Sequence, residues 1–86
     1  MRIVFRRAAE KALNGLPAAR RRQLLGRIER LASAAASRTL DIRRLEGGSG
    51  LFRLRVGDYR VLFSIDEAAE TVIIELIRGR GDAYER

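Results

Sequence analysis

The chain contains no cysteine and no histidine. Only one lysine occurs, and no apolar run approaches the roughly 20 residues of a membrane-spanning helix. Without cysteine, neither a disulfide framework nor a thiolate metal site can form, which fits a cytoplasmic setting. Without histidine, the side chain that most often serves as a general base is missing. Nor are the carboxylates densely clustered. Asp66, Glu67 and Glu70 fall in one expected loop, and no dense acidic cluster suits a two-metal phosphodiester site. No metal and no other cofactor is therefore expected. The opening MRIVFRRAAEK is too charged for the apolar core of a signal peptide, so neither secretion nor a membrane partner is expected.

What the chain has is arginine. Eighteen basic residues face eleven acidic ones, for a net charge of +7, and Lys11 is the only basic residue that is not arginine. A solvated basic surface and an arginine-rich codon bias both give such a count. A polyanion partner gives it a use, because this excess favours nucleic acid by electrostatics alone. An acidic protein partner is attracted by the same field.

The 86 residues make one domain, spanning 1–86, close to the lower size limit for burying a core. RIVF (2–5) is a short strand. Phe5, Ala8, Ala9, Ala12, Leu13 and Leu16 then recur at helical spacing, and Asn14-Gly15 ends the helix. Pro17 suits the first turn of a second helix, expected over about 17–35, with Leu24, Leu25, Ile28, Leu31, Ala32 and Ala35 as its apolar stripe. The short connection implies an αα-hairpin. GGSG (47–50) is a flexible turn. Leu40, Ile42 and Leu45, just before it, are expected to tack a loop onto the core. Strands follow at 51–56, 59–65 and 71–77. The expected fold is α+β: a small antiparallel-rich sheet packed on one face by the helical hairpin. Its order is β-α-α-β-β-β, with a short C-terminal tail or helical turn.

FRLRVGDYRVLF (52–63) fixes a register. Gly57-Asp58 suits a two-residue type II′ turn, which sets Val56 opposite Tyr59, Arg55 opposite Arg60, Leu54 opposite Val61 and Phe52 opposite Phe63. One face then carries Phe52, Leu54, Val56, Tyr59, Val61 and Phe63, and this is the core side. The other carries Leu51, Arg53, Arg55, Arg60, Leu62 and Ser64. Directly opposed like charges are destabilising. Arginines can fan apart into water. They can also form a cluster awaiting an anion, since guanidinium groups bind phosphate bidentately. The last strand is expected beside 59–65, delivering Arg78, Arg80 and Tyr84 near the sheet edge. Tyr84 can pack against the helices, stack on a base, or serve as a phenolate favoured by nearby positive charge. Without a secretion signal, the adhesion-like Arg80-Gly81-Asp82 is read as coincidence.

The strand–two-helix order, the block LEGGSGLFRLRVGDYRVLF and the tail RGRGDAYER together resemble the RelE/ParE superfamily of toxins from toxin–antitoxin pairs, over the whole chain. The RelE branch cuts messenger RNA in the ribosomal A site. Carried over by that resemblance, Arg53 and Arg55 match the paired basic positions of the first hairpin strand. Arg60 matches the arginine of the second, Arg80 the arginine of the tail, and Tyr84 its tyrosine. Some members have lysine at the positions of Arg53 and Arg55. The ParE branch, which poisons DNA gyrase, shares the fold but generally lacks the full set. The resemblance thus implies a ribosome-dependent mRNA endonuclease, catalytic at Arg53, Arg55, Arg60, Arg80 and Tyr84; Arg53, Arg55, Arg60 and Arg80, with Arg78 delivered beside them by the last strand, are expected to hold phosphate. It also implies two partners: a cognate antitoxin in a hetero-oligomer, and the ribosome with mRNA in its A site. A ParE-type gyrase inhibitor and a plain nucleic-acid-binding module are the alternatives.

The implied chemistry has a specific demand. Metal-free cleavage needs the 2′-OH to lose a proton and attack the adjacent phosphate, and the leaving 5′-oxygen to gain one. Arginines stabilise the phosphorane charge, and the resemblance assigns the base to Tyr84. Arginine stays protonated to about pH 12 and is a poor general acid. The ribosome or water is then the expected proton source.

Overall fold

The structure is a computed structural model and describes residues 1–33 and 40–79. Its elements are β1 (Arg2–Phe5), α1 (Arg7–Asn14), α2 (Ala18–Arg30), β2 (Asp41–Arg44), β3 (Phe52–Val56), β4 (Tyr59–Asp66) and β5 (Thr71–Gly79). The five strands form one sheet in the order β1-β5-β4-β3-β2. All pairs are antiparallel except β1 with β5. Both edge strands are four residues long, short enough to limit edge-to-edge pairing with other chains.

One face of the sheet carries the core. Leu54 and Val56 of β3, Val61 and Phe63 of β4, and Val72, Ile74 and Ile77 of β5 are buried there. Ala9 and Leu13 of α1 and Leu24 and Ile28 of α2 cover them, one helical turn apart on each helix. Phe52 stacks on Phe63 across the hairpin, ring centroids 5.4 Å apart, and the Arg44 guanidinium lies over the Phe52 ring. Such aromatic pairs add about 0.5–1.5 kcal/mol beyond their buried area.

The expected α+β architecture and helical hairpin are present, with three local differences. Residues 41–44, expected as a loop, form an additional edge strand on β3. Ile42 turns inward onto the core there, while Asp41 and Arg43 turn outward, the period-two pattern of a strand. The second helix stops at Arg30, short of 35. Leu31, Ala32 and Ser33 donate to carbonyls three residues back, the tight turn that closes a helix. Ala8 is exposed, because the inward face of α1 runs through Ala9 and Leu13. Ala35, expected in the α2 stripe, lies outside the described residues. Among the described residues no helix is long and apolar enough to cross a membrane.

Candidate nucleic-acid interface

The β3–β4 hairpin pairs as the turn dictates: Val56 with Tyr59, Arg55 with Arg60, Leu54 with Val61, Arg53 with Leu62 and Phe52 with Phe63. Gly57 has φ +58, while Asp58 stays out of the positive-φ region. That combination suits type II′ and excludes type I′, which needs positive φ at both central residues.

Residues opposed across neighbouring strands share a face. Asp41 opposes Arg55, Arg55 opposes Arg60, and Arg60 opposes Arg78. These four residues therefore form one row across β2, β3, β4 and β5, on the face turned away from the core. With strands about 4.8 Å apart, the three arginines span roughly 10 Å of backbone. The next row holds Arg43, Arg53, Leu62 and Leu76, placing an apolar strip beside the charge.

The arginines are not equivalent. Arg53 keeps only 16% of its side-chain surface exposed, against 55% for Arg55. Arg53 Nη2 donates to Asp41 Oδ1 at 3.2 Å, and Arg55 Nε lies 3.4 Å from Asp41 Oδ2. The Nε of Arg53 is buried without a hydrogen-bond partner. Arg60 is exposed and Arg78 half-buried, and among the described residues neither has an ion-pair partner. Among the described residues the basic row thus has one carboxylate at the β2 end and none at the β5 end.

Farther along the same face, the ladder between β4 and β5 shifts register: Leu62 pairs with Leu76, but Phe63 pairs with Ile74. Glu75 is the extra residue of this bulge. Its carboxylate accepts from Ser64 Oγ at 2.9 Å and from Arg6 Nε at 3.1 Å. The bulge ties β4, β5 and the start of α1 together and resets the alternation, so that Leu76 and Arg78 point to the open face.

Of the expected site residues, the sheet gathers Arg53, Arg55, Arg60 and Arg78 on one surface. Arg80 and Tyr84 lie outside the described residues. Sequence reasoning missed Asp41, although its alternation with Ile42 and Arg43 was the available signal. It also missed Glu75, for which a bulge leaves no local signal.

Across residues 3–84 the chain matches the family model described as the ParE toxin of the type II toxin–antitoxin system parDE. No curated protein matches it. Among solved structures, it is 31% identical to a chain of the archaeal RelE–RelB complex from Pyrococcus horikoshii. That match has a TM-score of 0.77 and covers 93% of this chain and 94% of the other. A chain of the RelBE2 toxin–antitoxin complex from Mycobacterium tuberculosis is 28% identical, with TM-score 0.72 and coverage of 92% and 96%. The isolated RelE toxin of Escherichia coli shares the fold, at 15% identity, TM-score 0.75 and coverage of 91% and 82%. The match spans nearly every residue, the sheet order and helical hairpin are those of the toxin subunit, and the chain belongs to the ParE toxin family of type II toxin–antitoxin systems, within the RelE/ParE superfamily.

Proposed function

We propose that this toxin is a ribosome-dependent endoribonuclease that cuts messenger RNA and so arrests translation. The observation that carries the reading is the row Arg55–Arg60–Arg78 on the sheet face opposite the helices α1 and α2, with Arg53 beside it. Opposed like charges weaken a fold on their own. A phosphodiester entering the row offsets that repulsion and accepts charge-assisted hydrogen bonds from the guanidinium groups. As the 2′-oxygen attacks, negative charge grows on the phosphorane, and fixed cations lower the barrier. Tyr84 is proposed as the base and Arg80 as a further phosphate ligand, both by family resemblance. No arginine is assigned the leaving-group proton, because guanidinium holds its proton to about pH 12. Positioning by the ribosome supplies the remaining rate.

The proposed site of action is the cytoplasm, and the proposed regulator is an antitoxin. The relatives from P. horikoshii and M. tuberculosis were each solved as toxin–antitoxin complexes. An acidic or amphipathic antitoxin segment would complement the basic row and the Leu62–Leu76 strip.

The test is induced expression followed by mapping of mRNA 5′ ends, with Tyr84→Phe and Arg60→Ala as controls. New ends inside codons that vanish in both variants support the reading. Intact ribosome-bound mRNA with purified toxin overturns it. The second reading, inhibition of DNA gyrase, is favoured by the ParE description of the matching family model. Accumulation of gyrase–DNA cleavage complexes without new mRNA ends would establish it.

A further inference from the structure

We propose that Asp41 is a built-in competitor for phosphate: its carboxylate holds Arg53 and Arg55 until a phosphodiester of single-stranded RNA displaces it. The inference rests on the reading above that this face binds RNA. Its basis is the way one carboxylate is divided between two cations. Oδ1 takes Arg53 and Oδ2 takes Arg55, so a single side chain occupies both basic positions of β3. Arg53 has little room to turn elsewhere, because its side chain is mostly buried and its Nε faces no acceptor. The Nη2 group that reaches Asp41 is its observed polar outlet. A phosphate that is to meet Arg53 must approach where Oδ1 now sits.

The strength of the pair suits displacement. Asp41 and Arg55 are each more than half exposed, and an ion pair so open to water is weak. A phosphodiester brings comparable charge and reaches Arg60 as well, so it can replace the carboxylate without leaving a guanidinium unpaired. Until then, Asp41 keeps the two β3 arginines apart from stray anions and limits repulsion with Arg60. The row is polarised in consequence. At its Arg60–Arg78 end no carboxylate among the described residues competes with an incoming anion, and its β2 end yields only when a longer ligand reaches it.

The test measures binding of a short fluorescein-labelled single-stranded RNA to the full chain by anisotropy, at low and at moderate chloride. Asp41→Asn keeps the side-chain shape at an exposed edge position and is expected to tighten binding about threefold or more. Glu67→Gln, in the exposed β4–β5 turn, removes the same charge away from the arginines and is expected to change binding by less than half as much. In an Arg53→Ala/Arg55→Ala background, the gain from Asp41→Asn is expected to fall to the level of Glu67→Gln. An Asp41→Asn effect no larger than that of Glu67→Gln, a loss of affinity, or an undiminished gain without Arg53 and Arg55 each overturns the competitor role. Arg60→Ala separates the two layers. If it weakens binding while Asp41→Asn does nothing, this inference alone fails. If Arg60→Ala leaves binding unchanged, the face does not bind RNA and both fall.

Discussion

Arg55 and Arg60 occupy directly opposed positions on β3 and β4, and both are exposed on the sheet face turned away from α1 and α2. Their like charges cost the fold a few tenths of a kcal/mol or more. Replacing Arg60 with threonine, a good strand former, is therefore expected to stabilise the domain by about 0.5 kcal/mol. The same change is expected to weaken growth arrest on induction. Urea denaturation reads the first effect and colony formation the second. A variant both more stable and fully toxic would leave the opposed pair without a use.

Salt dependence resolves which arginines meet phosphate. Each phosphate contact with a single strand contributes about 0.7 to the slope of log affinity against log salt. Arg60→Ala and Arg78→Ala are each expected to flatten the slope by about that amount. Arg7 is exposed on α1, away from the open sheet face. Its replacement by alanine is expected to leave the slope as it was. Titrations at several chloride concentrations, on the same short RNA, make the comparison.

The hairpin was the most legible part of the chain. A glycine at 57 and an aspartate at 58 select one turn, the turn selects one register, and the register sorts Phe52, Leu54, Val61 and Phe63 from Arg53, Arg55 and Arg60. The inference is local and needs nothing distant. Arg78 was harder. It shares a face with Arg60 only because the bulge at Glu75 shifts the β5 alternation by one residue, and a bulge is decided by tertiary packing. Asp41–Arg44 read as loop because four residues carry too little periodicity to stand alone. The strand exists by pairing with β3. Asp41 consequently enters the site through a partner strand, and its brief alternation with Ile42 and Arg43 is too short to announce that by itself.

Glu75 links the open face to the junction of β1 and α1 through Ser64 and Arg6. Arg6 is 61% exposed, so the ion pair itself contributes little. The part-buried hydroxyl–carboxylate bond contributes more. Glu75→Ala is expected to destabilise the domain by about 1 kcal/mol. Glu75→Gln still accepts from Ser64 Oγ and is expected to lose less than half of that. Hydrogen exchange should report the difference, with the amides of β5 around the bulge exchanging faster in the alanine variant. Equal losses in the two variants would mean that the charge, and so Arg6, dominates.

Gly26 and Gly57 make a paired test of what limits this fold. A Cβ built at either position meets nothing within 4 Å, so sterics with neighbours predict the same outcome for both. Backbone conformation predicts opposite ones. Gly26 lies inside α2, where alanine is favoured over glycine by about 0.5–1 kcal/mol. Gly57 has φ +58, a region that costs an L side chain about 1–2 kcal/mol. Gly26→Ala is therefore expected to raise Tm by about 2–8 °C, given roughly 4–8 °C per kcal/mol for a domain of this size. Gly57→Ala is expected to lower Tm by about 4–16 °C and to loosen the turn that sets Arg55 against Arg60. Thermal melts of the two single variants and their double decide it. A Cβ at either site meets nothing within 4 Å, so the two share no contact and the effects should add. A stabilising Gly57→Ala would mean that the hairpin is held by the flanking strands, with the turn adapting to them.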